Sequence, residues 1–167
     1  VDAVLIPSFE DIYPEEYSFK VTESSVSTIL EGERRPGHFD GMLTIVTKLL
    51  NIVRPNNAYF GEKDYQQLLL VKKLVRALFM PTKIIGVETK RESDGLAMST
   101  RNRKLSKTAR TKASVFSALL KSSGSDDDIK DELIKNGFNV EYIESEWGRR
   151  LGAVKIDNVR LIDNVEI

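Results

Sequence analysis

The sequence predicts an α/β protein in which a parallel β-α-β unit precedes a smaller α+β domain. Strand-like segments at residues 57–60 and 83–87 enclose a segment at 64–80 in which apolar residues recur at helical spacing. Further along the chain, two helical segments precede two alternating apolar–polar segments, an order typical of an α+β domain. The predicted ranges are 1–90 for the first domain, 91–105 for a linker that includes a phosphate-binding loop, and 106–167 for the second domain.

The composition is that of a globular protein, with 41% hydrophobic and 30% charged residues among 167. Lysine and arginine total 25, as do aspartate and glutamate, so the net charge is zero and a dedicated nucleic-acid binder is disfavoured. The absence of cysteine excludes disulfides and thiolate metal sites and is compatible with a reducing, cytoplasmic setting. No apolar run reaches the roughly 18 residues that a membrane-spanning helix needs, so no membrane association is expected.

Short elements are predicted near the amino terminus. Residues 1–7 and 17–21 have the apolar content of strands. Residues 9–13 are predicted to be a loop or a short helical turn, and residues 26–30 a short helix. A loop rich in turn residues and positive charge is predicted at 31–39. Because the chain opens directly in a strand-like segment without a methionine, we expect an N-terminal truncation.

Two longer helices are predicted from their apolar stripes. The first begins at Asp40, a suitable N-cap, and ends at Arg54, because a residue before proline avoids helical angles. Its stripe is Met42, Ile45, Val46, Leu49, Leu50 and Val53. The stripe of the second helix is Leu68, Val71, Leu74, Val75 and Leu78, and the residues expected to face water are Lys72, Lys73 and Arg76.

The turn that follows the strand at 57–60 has the features of an anion-binding site. Gly61 lets the backbone approach a ligand, Lys63 adds a positive charge, and a helix beginning at Asp64 offers unpaired N–H groups. An alternative is an ordinary turn in which Asp64 and Gln67 form a capping box. The spacing alone leaves both interpretations open.

A second polar loop follows the strand at 83–87. Parallel strands of a β-α-β unit end at the same edge of the sheet, so this loop and the 61–64 turn are expected to face one pocket. The loop supplies hydroxyl, guanidinium and amide donors suited to phosphate oxygens: Ser99, Thr100, Arg101 and Asn102. The same segment would also serve as the linker between the domains.

The second domain is predicted to contain two helices and two strands. One helix covers residues 106–121, and the other is capped by Ser125 or Asp126 and continues to about Lys135, with Asn136-Gly137 as its stop. The aspartates at the start of the second helix are interpreted as a helix cap rather than a cation site. Strands are predicted at 138–142 and 159–161.

Three separated blocks of this sequence resemble one family in order and spacing. They are Arg35-Pro36-Gly37-His38-Phe39-x-Gly41, Phe60-Gly61-Glu62-Lys63-Asp64-x-Gln66-Gln67-Leu68 and Arg91-Glu92-x-Asp94-Gly95-Leu96-Ala97-Met98-Ser99-Thr100-Arg101-Asn102. Residues 160–164 are similar to the C-terminal strand of the same family. The resemblance is to pantothenate synthetase (pantoate–β-alanine ligase), and it covers essentially all of the 167 residues.

The resemblance implies the C-terminal part of a Rossmann-like nucleotidyltransferase domain, with a parallel sheet, followed by the small α+β domain. It implies an enzyme that uses ATP to join pantoate and β-alanine through pantoyl adenylate, with release of pyrophosphate and AMP. ATP would be a substrate, accompanied by Mg²⁺, and no protein-held metal is expected. A cytoplasmic homodimer that binds small molecules, and neither nucleic acid nor membranes, is the implied form.

The resemblance also assigns roles to residues at matching positions. Around ATP it places Gly61 and Asp64 at the ribose and Lys63 at the phosphates, with Glu62 between them. It makes a mobile phosphate-binding loop of Met98, Ser99, Thr100 and Arg101, with a backbone contact near Lys90. The catalytic residues would be Lys63, Ser99, Thr100 and Arg101, whereas Gln67 would hold pantoate and Arg35 and His38 would line the site.

The sequence departs from the family pattern in three respects. Thr100 stands where the family usually has a second serine, and the C-terminal domain is shorter than in many members. The family's His-x-Gly-His phosphate motif and first pantoate glutamine lie upstream of anything present, and His38 is the only histidine. We therefore expect this chain alone to make no pantothenate.

Two other functions remain open on the residues. The basic run at 101–112 could belong to an RNA-binding module, although it lacks interleaved aromatic residues for base stacking and resembles a solvated helix face. A non-catalytic nucleotide-binding module is also compatible with the 61–64 turn. An affinity for RNA that weakens steeply with salt would identify the first alternative.

Overall fold

The computed structural model of the chain describes Asp2 and residues 4–167. The chain forms two compact units, which are residues up to Phe60 with Gln66–Ile85, and Gly61–Tyr65 with Gly86–Ile167. The segment 91–105, predicted as a linker, lies within the second unit. Its role as a linker stays a prediction.

A parallel sheet and four helices make up the first part of the chain. In chain order the elements are α1 (Phe9–Ile12), α2 (Glu31–Arg34), α3 (His38–Val53), β1 (Asn57–Gly61), α4 (Tyr65–Ala77) and β2 (Lys83–Val87). β1 and β2 are neighbours in a parallel two-stranded sheet, and α4 connects them. The predicted β-α-β unit is therefore confirmed.

The strand predicted at residues 1–7 is not a strand where the structure describes it. Val1 and Ala3 lie outside the described residues, and Asp2 and residues 4–7 adopt neither helix nor strand. A strand needs a neighbouring strand for its backbone hydrogen bonds, and in the described residues the parallel sheet consists of β1 and β2 alone. The prediction rested on apolar content, which does not show whether a neighbouring strand is available.

The other short elements differ in part from prediction. Residues 17–21 form no strand, and Tyr17 has a φ of 63°, which is incompatible with extended backbone. The short helix predicted at 26–30 is a 3-10 turn, Val26–Thr28. The predicted loop at 31–39 contains α2, whereas α1 confirms the predicted helical turn at 9–13.

α3 begins two residues before its predicted start. Its N-cap is Gly37, which has a left-handed φ of 77°, so Asp40 lies in the first turn and does not cap the helix. Leu49 and Val53 of the predicted stripe are 43% and 67% exposed. The buried apolar residues are Phe39, Met42, Leu43 and Leu50. The buried face is therefore centred on a different side of the helix from the predicted stripe.

Asp64 does not cap α4. A 3-10 turn, Glu62–Asp64, precedes α4, and Gly61 occupies the N-cap position of that turn. An N-cap residue has non-helical angles, whereas Asp64 lies inside the helical turn. The alternative of a capping box between Asp64 and Gln67 is therefore wrong.

The apolar face of α4 is close to the predicted stripe. Its buried residues are Gln66, Leu68, Leu70, Val71 and Leu74. The basic residues Lys72, Lys73 and Arg76 are exposed, as predicted. The apolar spacing continues to Leu78, but the helix ends at Ala77. Leu78 therefore lies outside the buried helical face and is 50% exposed.

Gln66 is a buried polar residue that holds the segment before α2. Its Nε2 donates to the carbonyl oxygens of Val26 and Ile29 at 2.7 and 2.8 Å. Its Oε1 accepts from the N–H of Glu31 at 3.1 Å. The amide thus bonds to three backbone groups between Val26 and Glu31, of which the Ile29 carbonyl oxygen also accepts from the N–H of Gly32 at 2.9 Å. These hydrogen bonds explain how a glutamine that is 3% exposed can be accommodated.

The second unit packs two helices against an antiparallel sheet. Its elements are α5 (Lys107–Leu120), α6 (Asp126–Lys135), β3 (Asn139–Glu146), β4 (Arg149–Ile156) and β5 (Val159–Glu166). The strand order is β3-β4-β5, and both neighbouring pairs are antiparallel. The core of the unit includes Phe116, Leu120, Ile129, Leu133, Val154 and Leu161.

β4 is a central strand that the sequence does not predict. Its residues are buried at every position except Lys155, so the alternation that identifies a half-exposed strand is absent. Trp147 and Gly148, with φ of 55° and 71°, form the tight turn that joins β3 to β4. At Gly152 an added Cβ would lie 2.8 Å from the Ile143 side chain and 3.0 Å from that of Phe116, so only glycine allows this close packing.

Both helices of the second unit begin as predicted. The Ser106 hydroxyl caps α5, and Ser125 caps α6 through a capping box with Asp128. The acidic run therefore contributes to a helix cap.

We expect Gln66→Leu to lower the free energy of unfolding by about 1–3 kcal/mol, because it leaves buried backbone groups without hydrogen bonds. Urea unfolding and hydrogen exchange of the Glu31 amide measure this loss. Gln67→Leu, at the half-buried neighbouring position, is the matched control and should have a much smaller effect. Equal effects of the two substitutions would show that the Gln66 hydrogen bonds do not contribute to the free energy of unfolding.

Glu141 on β3 pairs with Lys155 and Arg160, each at 2.8 Å. Burial opposes ionisation, but the hydrogen bonds from Lys155 and Arg160 outweigh it, so the pKa of the Glu141 carboxyl is lowered. A lowered pKa in the folded state stabilises the protein above the unfolded value of about 4.3. We expect the stability difference between the wild type and Glu141→Gln to be constant above about pH 5 and to shrink as the pH falls through the folded-state pKa. Thermal melts across pH would contradict this if the two curves stayed parallel in acid.

Candidate functional site

The turn after β1 leaves space around its glycine. Gly61 has extended angles, with φ of −69° and ψ of 133°, and an added Cβ would meet no atom within 4 Å. Neither backbone conformation nor packing within the described protein therefore requires glycine here. The 3-10 turn Glu62–Asp64 runs directly into α4, so the helix start lies beside Lys63.

The loop after β2 folds back on itself before the predicted phosphate-binding residues. Arg91 and Ala97 form an antiparallel bridge, and the N–H of Met98 donates to the carbonyl oxygen of Lys90 at 2.9 Å. Gly95 has a φ of 87°, which a residue with a side chain rarely adopts, and it allows the reversal. The Lys90 backbone therefore contacts Met98 within the loop.

The segment that follows is a 3-10 helix, Thr100–Lys104, with Ser99 as its N-cap. The Ser99 hydroxyl accepts from the N–H of Arg101 at 3.2 Å. Asn102 is buried, and its Nδ2 donates to the carbonyl oxygen of Ala97 at 3.1 Å. These contacts fix the backbone that carries the hydroxyls of Ser99 and Thr100 and the guanidinium of Arg101.

Lys63 and the later loop line one cleft, which we name the Lys63 cleft. The cleft is lined by residues that include Lys63, Ser99, Arg101, Asn102 and Arg160, and its volume is about 10 Å³, room for about one water molecule. Arg101 also donates from Nη1 to the carbonyl oxygen of Arg160 at 3.4 Å. Among the described residues, Oδ1 of Asn102 is buried without a hydrogen-bond partner, so it can accept from a ligand. The expectation that the two polar segments face one pocket is thus met by Lys63, Ser99 and Arg101.

A second cleft, of about 530 Å³, shares Ser99 and Asn102 with the Lys63 cleft. Its lining also includes Glu92, Met98, Thr100, Arg103 and Arg110. Lys63 and Arg101 do not line this second cleft.

Arg110 is held by the polar loop. Its guanidinium donates to Asp94 Oδ2 at 2.5 Å, and this hydrogen bond lowers the pKa of the Asp94 carboxyl. The same hydrogen bond raises the pKa of Arg110. Within the basic run at 101–112, this arginine therefore stabilises the loop, while Arg103, Lys104, Lys107 and Lys112 are exposed.

Glu62 and Asp64 face different surroundings from Lys63. Arg149 donates to Glu62 Oε2 at 3.0 Å, and Glu62 lines a polar cleft of about 310 Å³ with Arg149 and Asn164. Asp64 is exposed. The predicted ATP contacts of Gly61, Glu62 and Asp64 stay predictions.

The other predicted site residues belong to the first unit. Gln67 is half-buried on α4. Arg35 Nη1 lies 2.9 Å from His38 Nε2, and because a guanidinium only donates, this ring nitrogen accepts. Arg35 also lies 3.7 Å from a carboxylate oxygen of Glu31.

Metal-ligand clusters and membrane-spanning helices are both absent from the described residues. Asp2 and residues 4–167 contain no group of three or more His, Cys, Asp or Glu side chains that could hold a metal ion. None of the helices in that part of the chain is both long and apolar enough to cross a membrane.

Several polar residues that support the site were not assigned a role from the sequence. They are Arg91, Arg149, Asp163 and Asn164. Arg149 lies in the strand that the sequence does not predict, and the other three lie in the family-like segments. Their burial depends on strand pairing and loop folding, which a motif does not reveal.

Comparison with known proteins places this site in a family. The family model described as pantoate-beta-alanine ligase matches residues 1–166. A pantothenate synthetase from Bdellovibrio bacteriovorus is 47% identical over 167 residues, which are 100% of this chain and 66% of that protein. A pantothenate synthetase from Legionella pneumophila is 48% identical over 164 residues, 98% of this chain and 65% of that protein. The chain thus spans about two thirds of the length of these curated relatives.

Solved structures agree with the sequence comparison. The pantoate-beta-alanine ligase from Francisella tularensis, complexed with beta-gamma ATP and beta-alanine, superposes with a TM-score of 0.86 at 41% identity, over 94% of this chain and 61% of that one. The pantothenate synthetase from Thermus thermophilus gives a TM-score of 0.85 at 39% identity, over 96% of this chain and 67% of that one. Since the family model matches from residue 1 to residue 166, this chain belongs to the pantoate-beta-alanine ligase family.

Proposed function

We propose that the protein joins pantoate and β-alanine in an ATP-dependent reaction that yields pantothenate, AMP and pyrophosphate. One observation carries the proposal: Lys63, from the turn after β1, lines the same cleft as Ser99 and Arg101. In a chain of this family, these side chains would bind the phosphates of ATP, and because the cleft holds only about 10 Å³, the loop would have to move to admit them. The Francisella tularensis relative complexed with beta-gamma ATP and beta-alanine supports the same substrates.

The first step would be attack by a pantoate carboxylate oxygen on the α-phosphorus of ATP. A carboxyl oxygen–phosphorus bond forms, the bond to the bridging oxygen of pyrophosphate breaks, and pyrophosphate leaves with that electron pair. In the second step the β-alanine amine attacks the acyl carbon, loses a proton and displaces AMP. The products are one amide, one AMP and one pyrophosphate.

This chemistry needs fixed positive charge and hydrogen-bond donors more than it needs a protein nucleophile. Charge builds on the phosphate oxygens during the first step, and preorganised donors stabilise it. Lys63 and Arg101 would supply the charge, and Ser99 and Thr100 the hydroxyls. Thr100 lines the second cleft and not the Lys63 cleft, so it would reach the phosphates through movement of the 98–102 segment, in keeping with the mobile loop expected from the family.

Gly61 and Asp64 would meet the ribose, with Glu62 between them and a backbone contact near Lys90. The open space around Gly61 supports this assignment, since nothing within the described protein requires a glycine there. Gln67 would hold pantoate, because an amide can both donate to a carboxylate and accept from a hydroxyl. Gln67 is not committed to a capping box with Asp64, and Arg35 and His38 would line the site.

Mg²⁺ would enter with ATP as part of the substrate. Mg²⁺ is commonly held by substrate phosphates and water with few protein ligands. The protein would act as a cytoplasmic homodimer. Residues 91–105 would act as a linker between domains 1–90 and 106–167.

The test of the reaction follows an oxygen label. The complete protein is incubated with ATP, β-alanine and pantoate whose carboxylate carries ¹⁸O, and the products are analysed by mass spectrometry. One ¹⁸O should appear in AMP, because the carboxylate oxygen that attacked phosphorus stays on it. Formation of ADP and labelled phosphate would indicate an acyl phosphate instead, and the absence of any pantothenate would refute the proposed reaction.

We expect Lys63→Ala to lower kcat by about 100- to 1000-fold, with a smaller change in the KM for ATP, because its charge acts mainly in the transition state. Steady-state kinetics of the complete protein measure both constants. The matched control is Lys73→Ala, which removes an exposed lysine from the same part of the chain and should leave both unchanged. A raised KM with an unchanged kcat would make Lys63 a simple binding contact.

We expect Gln67→Ala to raise the KM for pantoate at least about tenfold, the change that corresponds to losing about 1.4 kcal/mol of binding. The melting temperature should remain close to that of the wild type, because the structure gives Gln67 no capping role. Kinetics and thermal melting of the same preparation separate the two effects. Normal pantoate kinetics with a lowered melting temperature would assign Gln67 a structural role only.

A further inference from the structure

Two neighbouring polar residues on β5 are buried. Asp163 and Asn164 are 3% and 2% exposed, in a strand that otherwise contributes to the core of the second unit. Buried polar groups are costly unless they are hydrogen-bonded. Their partners include backbone groups of the turn that carries Lys63 and Arg91 of the loop that leads to Ser99 and Arg101.

Asn164 holds the turn that contains Lys63. Its Nδ2 donates to the carbonyl oxygens of Glu62 and Lys63 at 2.9 and 3.0 Å. Because peptide groups are planar, two fixed carbonyl oxygens also fix the orientation of the peptides that leave Glu62 and Lys63. The backbone from which the Lys63 side chain extends is therefore set by a residue that comes much later in the chain.

Arg149 fixes the orientation of the Asn164 amide. Its Nη1 donates to Asn164 Oδ1 at 2.9 Å, and a guanidinium cannot accept a hydrogen bond. The amide NH₂ must therefore face the carbonyl oxygens of the turn. Arg149 is itself held by Glu62 at 3.0 Å, by Glu166 at 2.7 Å and by the Tyr65 ring, whose centroid lies 4.4 Å away.

Asp163 holds the loop that leads to the opposite wall of the Lys63 cleft. Arg91 donates to both carboxylate oxygens of Asp163, at 2.7 and 3.0 Å, and Ser117 donates at 2.6 Å. Arg91 also donates to the carbonyl oxygen of Gly95 within the loop. Because Arg91 bridges to Ala97, the start of the Met98–Arg101 segment is held on β5.

We infer that Asn164 is a positioning residue for the nucleotide chemistry: it sets where Lys63 stands relative to Ser99 and Arg101. Asp163, the next residue on the same strand, holds the other wall, so one rigid strand determines the separation of the two phosphate-binding segments. This inference rests on the proposed function. Misplacement of catalytic groups by about 1 Å can cost about 100-fold in rate, so the position of the backbone matters as much as the charge it carries.

The test substitutes Asn164→Asp in the complete protein. The new side chain has the same size and keeps an acceptor for Arg149, but it cannot donate to the carbonyl oxygens of Glu62 and Lys63. We expect kcat to fall by about 10- to 100-fold, while the KM for ATP changes by less than about threefold. Asn158→Asp, in the exposed turn between β4 and β5, makes the same chemical change and should leave kcat unchanged.

Arg149→Lys is a second, independent variant if Asn164→Asp fails to fold. A lysine cannot reproduce the arrangement of donors that holds Asn164, Glu62 and Glu166 together. We expect the same pattern, a lowered kcat with a nearly unchanged KM for ATP, in the folded variant. Faster hydrogen exchange of the amides at 62–65 should accompany it.

The outcomes separate this inference from the proposed function. If the wild type makes AMP and pantothenate but folded variants match its kcat, Asn164 is merely structural and the inference is wrong. If the variants lose stability while their active fraction turns over normally, the inference is equally wrong. If the wild type makes no AMP, the proposed function itself fails.

Discussion

The need to satisfy buried polar groups determines how the second unit is built. Asp163 and Asn164 can lie inside the protein only because Arg91, Ser117, Arg149 and two backbone carbonyl groups meet them there. The bidentate pair of Arg91 with Asp163 is the most demanding of these contacts, since either charge left alone would be strongly destabilising. Folding of β5 and folding of the loop after β2 are therefore coupled.

That coupling explains how exposed residues can form an ordered site. Thr100 and Arg101 are exposed, and exposed side chains usually sample many conformations, whereas Ser99 is half-buried. Here their backbone is fixed at one end by the Arg91–Ala97 bridge and supported by the buried Asn102. The backbone of Lys63 is held in a comparable way, because the Asn164 side chain donates to the Lys63 carbonyl oxygen. Donors held in advance cost little reorganisation when charge develops on a ligand.

The first unit uses the same physical solution with different residues. Gln66 satisfies three backbone groups around the 3-10 turn and α2. The adjacent Gln67 is left half-buried and without a capping role. Two consecutive glutamines thus have different surroundings on α4, and only one of them is committed to the fold. This difference in burial makes Gln67 the better candidate for a ligand contact.

The sequence by itself determined the β-α-β unit, the helices of the second unit and the three blocks that place the chain in its family. These features depend on local spacing, turn residues and caps, which neighbouring residues specify. Only the tertiary structure decided that Asp2, residues 4–7 and residues 17–21 are not in strands, that β4 is a central strand, and that Arg149 and Asn164 support the turn that carries Lys63. A strand exists only with a partner, and a buried hydrogen bond only with a group that is distant in sequence. Local sequence patterns identify neither the partner of a strand nor a hydrogen-bond partner that is distant in sequence, so these features depend on the tertiary structure.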